Sequence, residues 1–181
     1  LAVKNSEDIA IESLRSIRTA IHFALANAKN NVIAISGPAP EVGKSFISIN
    51  LATIFAQSNK RVLLMDVDLR RGYLHKYFDR EVNPGLTEVM NGSVTIEQAI
   101  YDTGVANLDY LARGKSPSNP SEMLETEQFQ ALLKTLSSQY DHIILDTPPV
   151  LAVTDGIIMA QYAGVNLVVA RYAKTQLKEL E

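Results

Sequence analysis

Short apolar runs that alternate with stretches of helical character constrain the fold of this chain more than any other feature of its sequence. Five runs are rich in β-branched residues and hydrophobic on both faces, which is typical of parallel strands covered by helices on both sides. They occupy residues 31–36, 61–66, 108–112, 142–146 and 165–171. Between them, helices are predicted over residues 44–58, 95–101, 121–140 and 155–162. This alternation predicts an α/β fold with right-handed crossovers.

A further helix is predicted near the start of the chain, over about residues 6–29. Ser6 is its expected N-cap, and Glu7 and Asp8 follow at the positive end of the helix dipole. One apolar stripe recurs every three or four positions, at Ile11, Leu14, Ile17, Ile21 and Leu25. A charged stripe lies beside it, formed by Glu12, Arg15, Arg18 and His22. The residues by themselves favour a solvated charged face over an interface between subunits.

The loop ISGPAPEVGKS at residues 35–45 follows a predicted strand and opens a predicted helix, which is the context of a phosphate-binding loop. In such a loop the backbone N–H groups converge on an anion at a helix N-terminus. Gly43 would allow close approach, Lys44 would contact the β- and γ-phosphates, and Ser45 would supply a hydroxyl to Mg²⁺. The strict pattern has glycine five residues before Gly43, where this chain has Pro38. The alternative is an ordinary strand-to-helix turn.

Two other predicted strands end in acidic residues. The segment VLLMDVDLR at 62–70 contains Asp66 and Asp68, and HIILDTPP at 142–149 contains Asp146. Open α/β sheets bind ligands at the carboxyl ends of their strands, and Mg²⁺ favours one or two carboxylates together with phosphates and water. Ordinary solvated acids are the alternative. The three segments together predict a nucleotide site at this edge of the sheet.

Composition narrows the remaining classes of protein. The 181 residues include no cysteine, which excludes disulfides, thiolate zinc sites and a cysteine nucleophile. A formal net charge of -3 argues against a globally basic nucleic-acid binder. No apolar run approaches the roughly 18 residues that a membrane span needs. The chain begins with Leu1 rather than methionine, and we expect it to be a piece of a longer protein.

The segments VGKS at 42–45, LLMDVDLR at 63–70 and IILDTPP at 143–149 together resemble the bacterial protein-tyrosine kinases called BY-kinases. The likeness is to the cytoplasmic kinase domains of polysaccharide co-polymerases of the Wzc/Etk type, and it covers essentially the whole chain as a single domain. In that family the segments are named Walker A, Walker A′ and Walker B. The resemblance implies a P-loop NTPase-like, three-layer α/β/α fold of the deviant-Walker type, with a mostly parallel sheet.

The resemblance also implies an ATP-dependent, Mg²⁺-dependent tyrosine autokinase. It assigns nucleotide binding to the loop residues Pro40, Glu41, Val42, Gly43, Lys44, Ser45 and Phe46. It assigns Mg²⁺ binding to Ser45, Asp68 and Asp146, and the role of catalytic base to Asp66. Whether Asp66 is the base or a metal ligand stays open.

Other matches concern regulation and assembly. LRRGY at 69–73 and LARG at 111–114 resemble family segments in which the tyrosine corresponding to Tyr73 is phosphorylated and pairs with the arginine corresponding to Arg113. ESLRSIRT at 12–19 resembles the family motif E-x-x-R-x-x-R, which implies that Glu12, Arg15 and Arg18 organise a ring, an octamer in relatives. NPSE at 119–122 also matches, although helix capping by Asn119 with proline next explains it.

The family context implies further partners. Relatives phosphorylate a tyrosine-rich tail of the neighbouring subunit, and a cognate phosphatase removes these phosphates. An upstream segment anchors the relatives in the inner membrane. They regulate exopolysaccharide or capsule synthesis and export from the cytoplasmic side, and continue beyond this chain with more sheet and helix before the tail. No nucleic acid is expected as a partner.

Two other functions share these nucleotide segments. One is a nucleotide-switched ATPase of the partition and cell-division type, which phosphorylates nothing. Those ATPases carry a second lysine five places before Lys44, where this chain has Ala39. The other is a protein that kept the fold as an interaction partner and lost catalysis. The presence of the nucleotide-site residues argues against it, namely Lys44, Asp66, Asp68 and Asp146.

Overall fold

The computed structural model describes residues 9–179, in which one six-stranded sheet lies between two layers of helices. The strands are β1 (Val32–Ser36), β2 (Val62–Asp66), β3 (Ile100–Asp102), β4 (Leu108–Leu111), β5 (His142–Asp146) and β6 (Val165–Val168). The helices are α1 (Ile9–Leu25), α2 (Lys44–Ala56), α3 (Leu86–Met90), α4 (Ile96–Ala99), α5 (Pro120–Glu125), α6 (Glu127–Gln139) and α7 (Asp155–Tyr162). Short 3₁₀ helices cover Leu74–Phe78 and Leu177–Glu179. The α/β class and the mostly parallel sheet are confirmed.

The sheet order is β3-β4-β2-β5-β1-β6, and every neighbouring pair is parallel except β3 with β4. Successive residues of the central strands point to opposite faces, so each strand contributes to two cores. Leu63 and Met65 pack with α3, α5, α6 and α7, whereas Val62 and Leu64 pack with α2. Burial on both faces explains why these strands are apolar except at their ends.

Helix α1 lies against α2 and extends that helical layer. Ile11 and Leu14 pack on Ile54 of α2, and Ile21 joins the core under α2. The predicted apolar stripe is therefore the buried side of the helix. The helix ends at Leu25 rather than near residue 29, and the predicted N-cap Ser6, with Glu7 and Asp8, lies outside the described residues.

Several predicted boundaries were wrong. The helix predicted over 95–101 ends at Ala99, and Ile100 and Tyr101 begin the antiparallel strand β3 beside β4. The helix predicted over 121–140 is two helices, because Thr126 adopts an extended conformation and its Oγ1 accepts a hydrogen bond from the Phe129 N–H. Both changes depend on a partner or a dihedral that helical periodicity does not encode.

Strand β6 differs from the prediction of burial on both faces. It ends at Val168, and its residues alternate between half-buried and exposed. Within residues 9–179 it pairs on one side only, with β1, so one edge of the strand faces away from the sheet. No helix within the same residues is long and apolar enough to cross a membrane.

Candidate active site

A cavity of about 280 Å³ opens at the carboxyl edge of the sheet. The loop before α2, the segment after β2 and the segment after β5 enclose it, as the positions of their parent strands require. Its walls are formed by Pro40, Glu41, Gly43, Lys44, Ser45, Asp68, Arg71, Gly72, Tyr73, Asp146, Thr147 and Pro149. A larger groove of about 650 Å³ lies elsewhere, between Lys29 and Tyr162, and its lining contains no carboxylate.

The loop between β1 and α2 has the backbone of an anion site. Glu41 and Gly43 adopt left-handed conformations, with φ of 60° and 107°, and α2 begins at the next residue, Lys44. Glycine at 43 meets a conformational need, since a Cβ there would touch nothing within 4 Å. Gly43 has no side chain to cap α2, so the first N–H groups of that helix are available to an anion.

Asp146, the last residue of β5, lies against the first turn of α2. Its carboxylate accepts hydrogen bonds from Ser45 Oγ and Ser48 Oγ, both at 2.8 Å. Burial raises the pKa of Asp146 to about 6, while the two hydroxyl groups and Lys44 act in the opposite direction. Ser48 was missed by the sequence reasoning, although its position one turn after Ser45 places both hydroxyl groups on one face of the helix.

Lys44 brings a positive charge into this carboxylate cluster. It is 9% exposed, and burial lowers its pKa while the charges of Asp146 and Asp68 oppose that change. A partly desolvated ammonium group beside the N-terminus of a helix can bind phosphate oxygens strongly.

Asp66 is fully buried and does not line the cavity. Its carboxylate accepts hydrogen bonds from the Asp68 N–H at 3.3 Å and the Leu74 N–H at 3.2 Å. Gly72 covers it so closely that a Cβ on Gly72 would lie 2.1 Å from Asp66 Oδ1. Burial, followed by the neighbouring charge of Asp146, raises the pKa of Asp66 well above its usual range.

The turn after β2 sends its two arginines in different directions. Asp68 Oδ1 accepts hydrogen bonds from the N–H groups of Arg70 and Arg71, which shapes the turn. Arg71 lines the cavity, whereas Arg70 forms an ion pair with Asp155 at 3.0 Å. The sequence did not distinguish these two arginines, and it did not identify Asp155.

Tyr73 and Arg113 meet through the backbone of Gly72. Tyr73 lines the cavity and is 46% exposed, with its ring centroid 6.0 Å from that of Tyr77. Arg113 lies after β4, and its Nε donates to the Gly72 carbonyl at 2.8 Å. Arg113, 40 positions later in the sequence than Tyr73, therefore contacts the backbone next to Tyr73 and is not itself part of the cavity lining.

Some candidate residues lie apart from the cavity. Val42 and Phe46 are absent from its lining, and Phe46 is 46% exposed on α2. Glu12, Arg15 and Arg18 lie on α1, where Arg15 pairs with Glu12 and Arg18 donates to Ser58 Oγ at the end of α2. None of these three charged side chains lines the cavity.

The donor set at the cavity fits a hard divalent cation bound together with phosphates. Ser45, Asp68 and Asp146 offer hydroxyl and carboxylate oxygens, the ligands that Mg²⁺ prefers. Within residues 9–179 no three His, Cys, Asp or Glu side chains are arranged to hold a metal by themselves. Mg²⁺ usually takes one or two protein carboxylates and completes its shell with phosphate and water.

Known proteins resemble this chain in sequence and in fold. Residues 30–180 match the family described as AAA domain. The tyrosine-protein kinase ptk of Acinetobacter johnsonii is 70% identical over 181 residues, which is the whole of this chain and 25% of that protein. The kinase domain of the Escherichia coli tyrosine kinase ETK superposes with a TM-score of 0.95 at 40% identity, over 99% of this chain and 71% of that one.

A more distant likeness concerns the fold alone. The septum site-determining protein MinD of Pyrococcus horikoshii, solved with Mg-ADP, superposes with a TM-score of 0.65 at 24% identity, over 77% of this chain and 57% of that one. The chain spans about a quarter of the length of the curated relatives it matches. With a P-loop nucleotide-binding fold and this degree of likeness, the chain belongs to the family of bacterial tyrosine-protein kinases to which ETK and ptk belong.

Proposed function

We propose that this chain is the catalytic domain of an ATP-dependent protein-tyrosine kinase that regulates exopolysaccharide or capsule synthesis and export. The observation that carries the proposal is the convergence of Lys44, Ser45, Asp68 and Asp146 on one cavity that also contains a tyrosine. Family membership and the resemblance of the three Walker segments support the choice of tyrosine as acceptor.

In this proposal ATP enters with its phosphates at the N-terminus of α2. Lys44 and the N–H groups around Gly43 hold the β- and γ-phosphates, with Pro40 and Glu41 in the cavity wall. Ser45 and Asp146 hold Mg²⁺, and Asp68 completes the protein side of the site. When bound, Mg²⁺ neutralises charge that develops on the phosphoryl group. Phosphoryl transfer depends mainly on positioning and charge stabilisation, for which few groups are needed.

Asp66 is the proposed base that accepts the proton of the substrate hydroxyl group. Burial raises the pKa of this carboxyl group well above its usual range, which makes its carboxylate a stronger proton acceptor than that of an ordinary aspartate. Gly72 lies over its carboxylate, so the segment from Asp68 to Leu74 must shift before a substrate can reach it. Asp66→Asn should abolish transfer while nucleotide binding persists. Loss of nucleotide binding in that variant would instead assign Asp66 to the metal site.

Tyr73 and Arg113 are the proposed regulatory pair. Arg113 Nε already donates to the carbonyl of Gly72, the residue next to Tyr73. A phosphate on Tyr73 would add nearly two negative charges within reach of that guanidinium. Arg113→Ala should remove the effect of a phosphorylated Tyr73 on activity and leave the unphosphorylated enzyme's activity in place.

Glu12, Arg15 and Arg18 are the proposed interface of a ring, in which the tyrosine-rich tail of one subunit reaches the cavity of the next. Their present contacts are within the chain, with Arg15 on Glu12 and Arg18 on Ser58. These half-exposed arginines retain donors for a second subunit. Arg15→Ala with Arg18→Ala should give monomers by light scattering, and an unchanged oligomer would contradict this part. The full protein is proposed to lie at the inner membrane with this domain in the cytoplasm. A cognate phosphatase is proposed to remove the phosphates from its tyrosines.

The alternative is a nucleotide-switched ATPase of the partition or cell-division type. Ala39 stands where those ATPases carry their second lysine, and the likeness to MinD is much weaker than that to ETK. Both comparisons favour the kinase.

The test is transfer of labelled phosphate from ATP to a tyrosine-containing peptide polymer. Lys44→Met should abolish transfer, because the phosphates lose their buried cation. Lys60→Met is a matched control, since Lys60 is exposed in the turn before β2 and lies outside the cavity lining. Full activity of Lys44→Met would contradict the assignment. ATP hydrolysis without tyrosine phosphorylation in the unaltered protein would favour the ATPase.

A further inference from the structure

Three side chains from distant segments meet beside the cavity. Arg70 follows β2, Ser121 lies at the start of α5, and Asp155 begins α7. Arg70 Nε donates to Asp155 Oδ2 at 3.0 Å, and Arg70 Nη2 lies 3.2 Å from Ser121 Oγ. Ser121 Oγ also donates to Asp155 Oδ1. Both oxygens of the Asp155 carboxylate are therefore engaged by partners from other segments.

The buried charge of Asp155 is compensated by the partly exposed charge of Arg70. Asp155 is completely buried, while Arg70 keeps 41% of its side chain exposed. A buried carboxylate without a partner is costly, so Asp155 holds Arg70 in this orientation and requires it in return. The segment NPSE at 119–122 contributes Ser121 to this network. Its predicted helix cap does not form, because Asn119 Nδ2 donates to the Glu122 carboxylate and the Asn119 side chain accepts no hydrogen bond from the backbone of α5.

The network connects the two carboxylate-bearing segments at their far ends. Arg70 lies two residues after Asp68, and the loop of residues 147–154 leads from Asp146 to Asp155. At their near ends the same segments meet where the Val67 N–H donates to the Asp146 carbonyl at 3.1 Å. The two segments are thus joined at both ends, with Asp146 at the near connection and Asp68 between the two connections.

We propose that Arg70, Ser121 and Asp155 form a clamp that sets the separation of Asp68 and Asp146 and so tunes the Mg²⁺ site. The proposal rests on the proposed nucleotide and Mg²⁺ site. The two arginines of the turn then have different roles, since Arg71 lines the cavity whereas Arg70 is a positioning residue that acts through the clamp. Loss of a residue that orients a metal ligand without touching the metal typically weakens metal affinity by about 10- to 100-fold.

The test compares Arg70→Ala with the double variant Arg70→Ala/Asp155→Asn. The single change leaves a buried carboxylate without its cation and should lower the melting temperature. The double change removes that charge and should restore much of the melting temperature. The readout is binding of a fluorescent ADP analogue during a Mg²⁺ titration. In the double variant the Mg²⁺ concentration at half-maximal enhancement should rise about 10-fold or more, while binding without Mg²⁺ stays as in the unaltered protein.

Two further variants separate positioning from general stability. Arg80→Ala removes an exposed arginine that donates to the Asp102 carbonyl, and it should leave the Mg²⁺ midpoint unchanged. Arg71→Ala should weaken nucleotide binding with and without Mg²⁺ alike. A double variant with the midpoint of the unaltered protein would overturn the clamp, whatever its melting temperature.

Hydrogen exchange gives a readout that needs no nucleotide. The amides of Gly72 and Val150 are protected by bonds to Asp68 O at 2.8 Å and Gly37 O at 3.0 Å. In the double variant both should exchange faster, while amides of the central strand β2 should not change. Unchanged exchange at Gly72 and Val150 would refute the clamp. Failure of the unaltered protein to bind the ADP analogue would count against the proposed function, and the exchange data would still decide the clamp.

Discussion

Removal of the Ser48 hydroxyl group is a sharp test of the site, because it changes one donor to one buried carboxylate. Ser48 is completely buried, and its Oγ lies 2.8 Å from Asp146 Oδ1 and 3.0 Å from the Lys44 carbonyl. In Ser48→Ala the Asp146 carboxylate keeps Ser45 as a donor and loses the other. The ionised form of Asp146 is destabilised, and its protonated form is favoured.

The size of the effect follows from the contact. A hydrogen bond to a charged group contributes about 1.5–3 kcal/mol, and one pKa unit corresponds to about 1.4 kcal/mol. The pKa of Asp146 should therefore rise by about one to two units from its value of about 6. At pH 7 the carboxylate of the unaltered protein is mostly ionised, whereas at least half of it would be protonated in the variant. In the proposed site Mg²⁺ would compete with that proton for Asp146, and its apparent affinity should fall.

The assay is Mg²⁺-dependent binding of a fluorescent ADP analogue, measured as a function of pH. The acid-side midpoint should move upward by about one to two pH units in Ser48→Ala. Thr53→Val is the matched control, since Thr53 is a buried hydroxyl on the same helix that donates to the Ile49 carbonyl and does not contact Asp146. A midpoint that stays in place in Ser48→Ala, or that moves equally in the control, would refute the argument.

Three further outcomes follow from the packing. Burial lowers the pKa of His142 from 6.5 to about 4. As the pH falls from 6.5 to about 4, the unfolded chain takes up this proton and the folded chain does not, so the free energy of unfolding decreases by about 3 kcal/mol. His142→Gln should remove that part of the pH dependence in denaturant unfolding, and His22→Gln should not. Gly72→Ala places a Cβ on Asp66 and should cost about 1–3 kcal/mol by overpacking, with a lower thermal midpoint; an unchanged midpoint would contradict the close contact. Leu64→Ala opens a cavity under α2 and should cost about 2–5 kcal/mol in urea unfolding, and a cost well below 1 kcal/mol would contradict full burial.

The central sheet was largely predictable because its signals are local. A strand buried on both faces is apolar along most of its length, and this pattern predicted β1, β2, β4 and β5 to within a residue or two of their true ends. Strand β3 was not predicted, because it has only three residues and forms through its pairing with β4. Its formation depends on a partner strand that local periodicity does not reveal.

The acids at strand ends were also predictable, since parallel strands bring their carboxyl ends to one edge. Lys44, Ser45, Asp68 and Asp146 accordingly line one cavity. The sequence alone gave no reason to expect that Asp66, two residues from Asp68, is sealed under Gly72. Residues two apart share a face of an extended strand, so alternation does not distinguish these two carboxylates. The cover over Asp66 comes from the path of the following turn, which places Gly72 on it.

The sequence by itself determined the α/β class, the anion-binding loop and the set of acids at the sheet edge, because each follows from residues close together in the chain. Tertiary structure alone decided that Ser48 shares Asp146 with Ser45, and that Arg70 turns to Asp155 while Arg71 lines the cavity. These contacts join residues 85 to 101 positions apart. Hydrogen bonds and ion pairs act over a few ångströms, so their partners are fixed only when the sheet and its helices have packed.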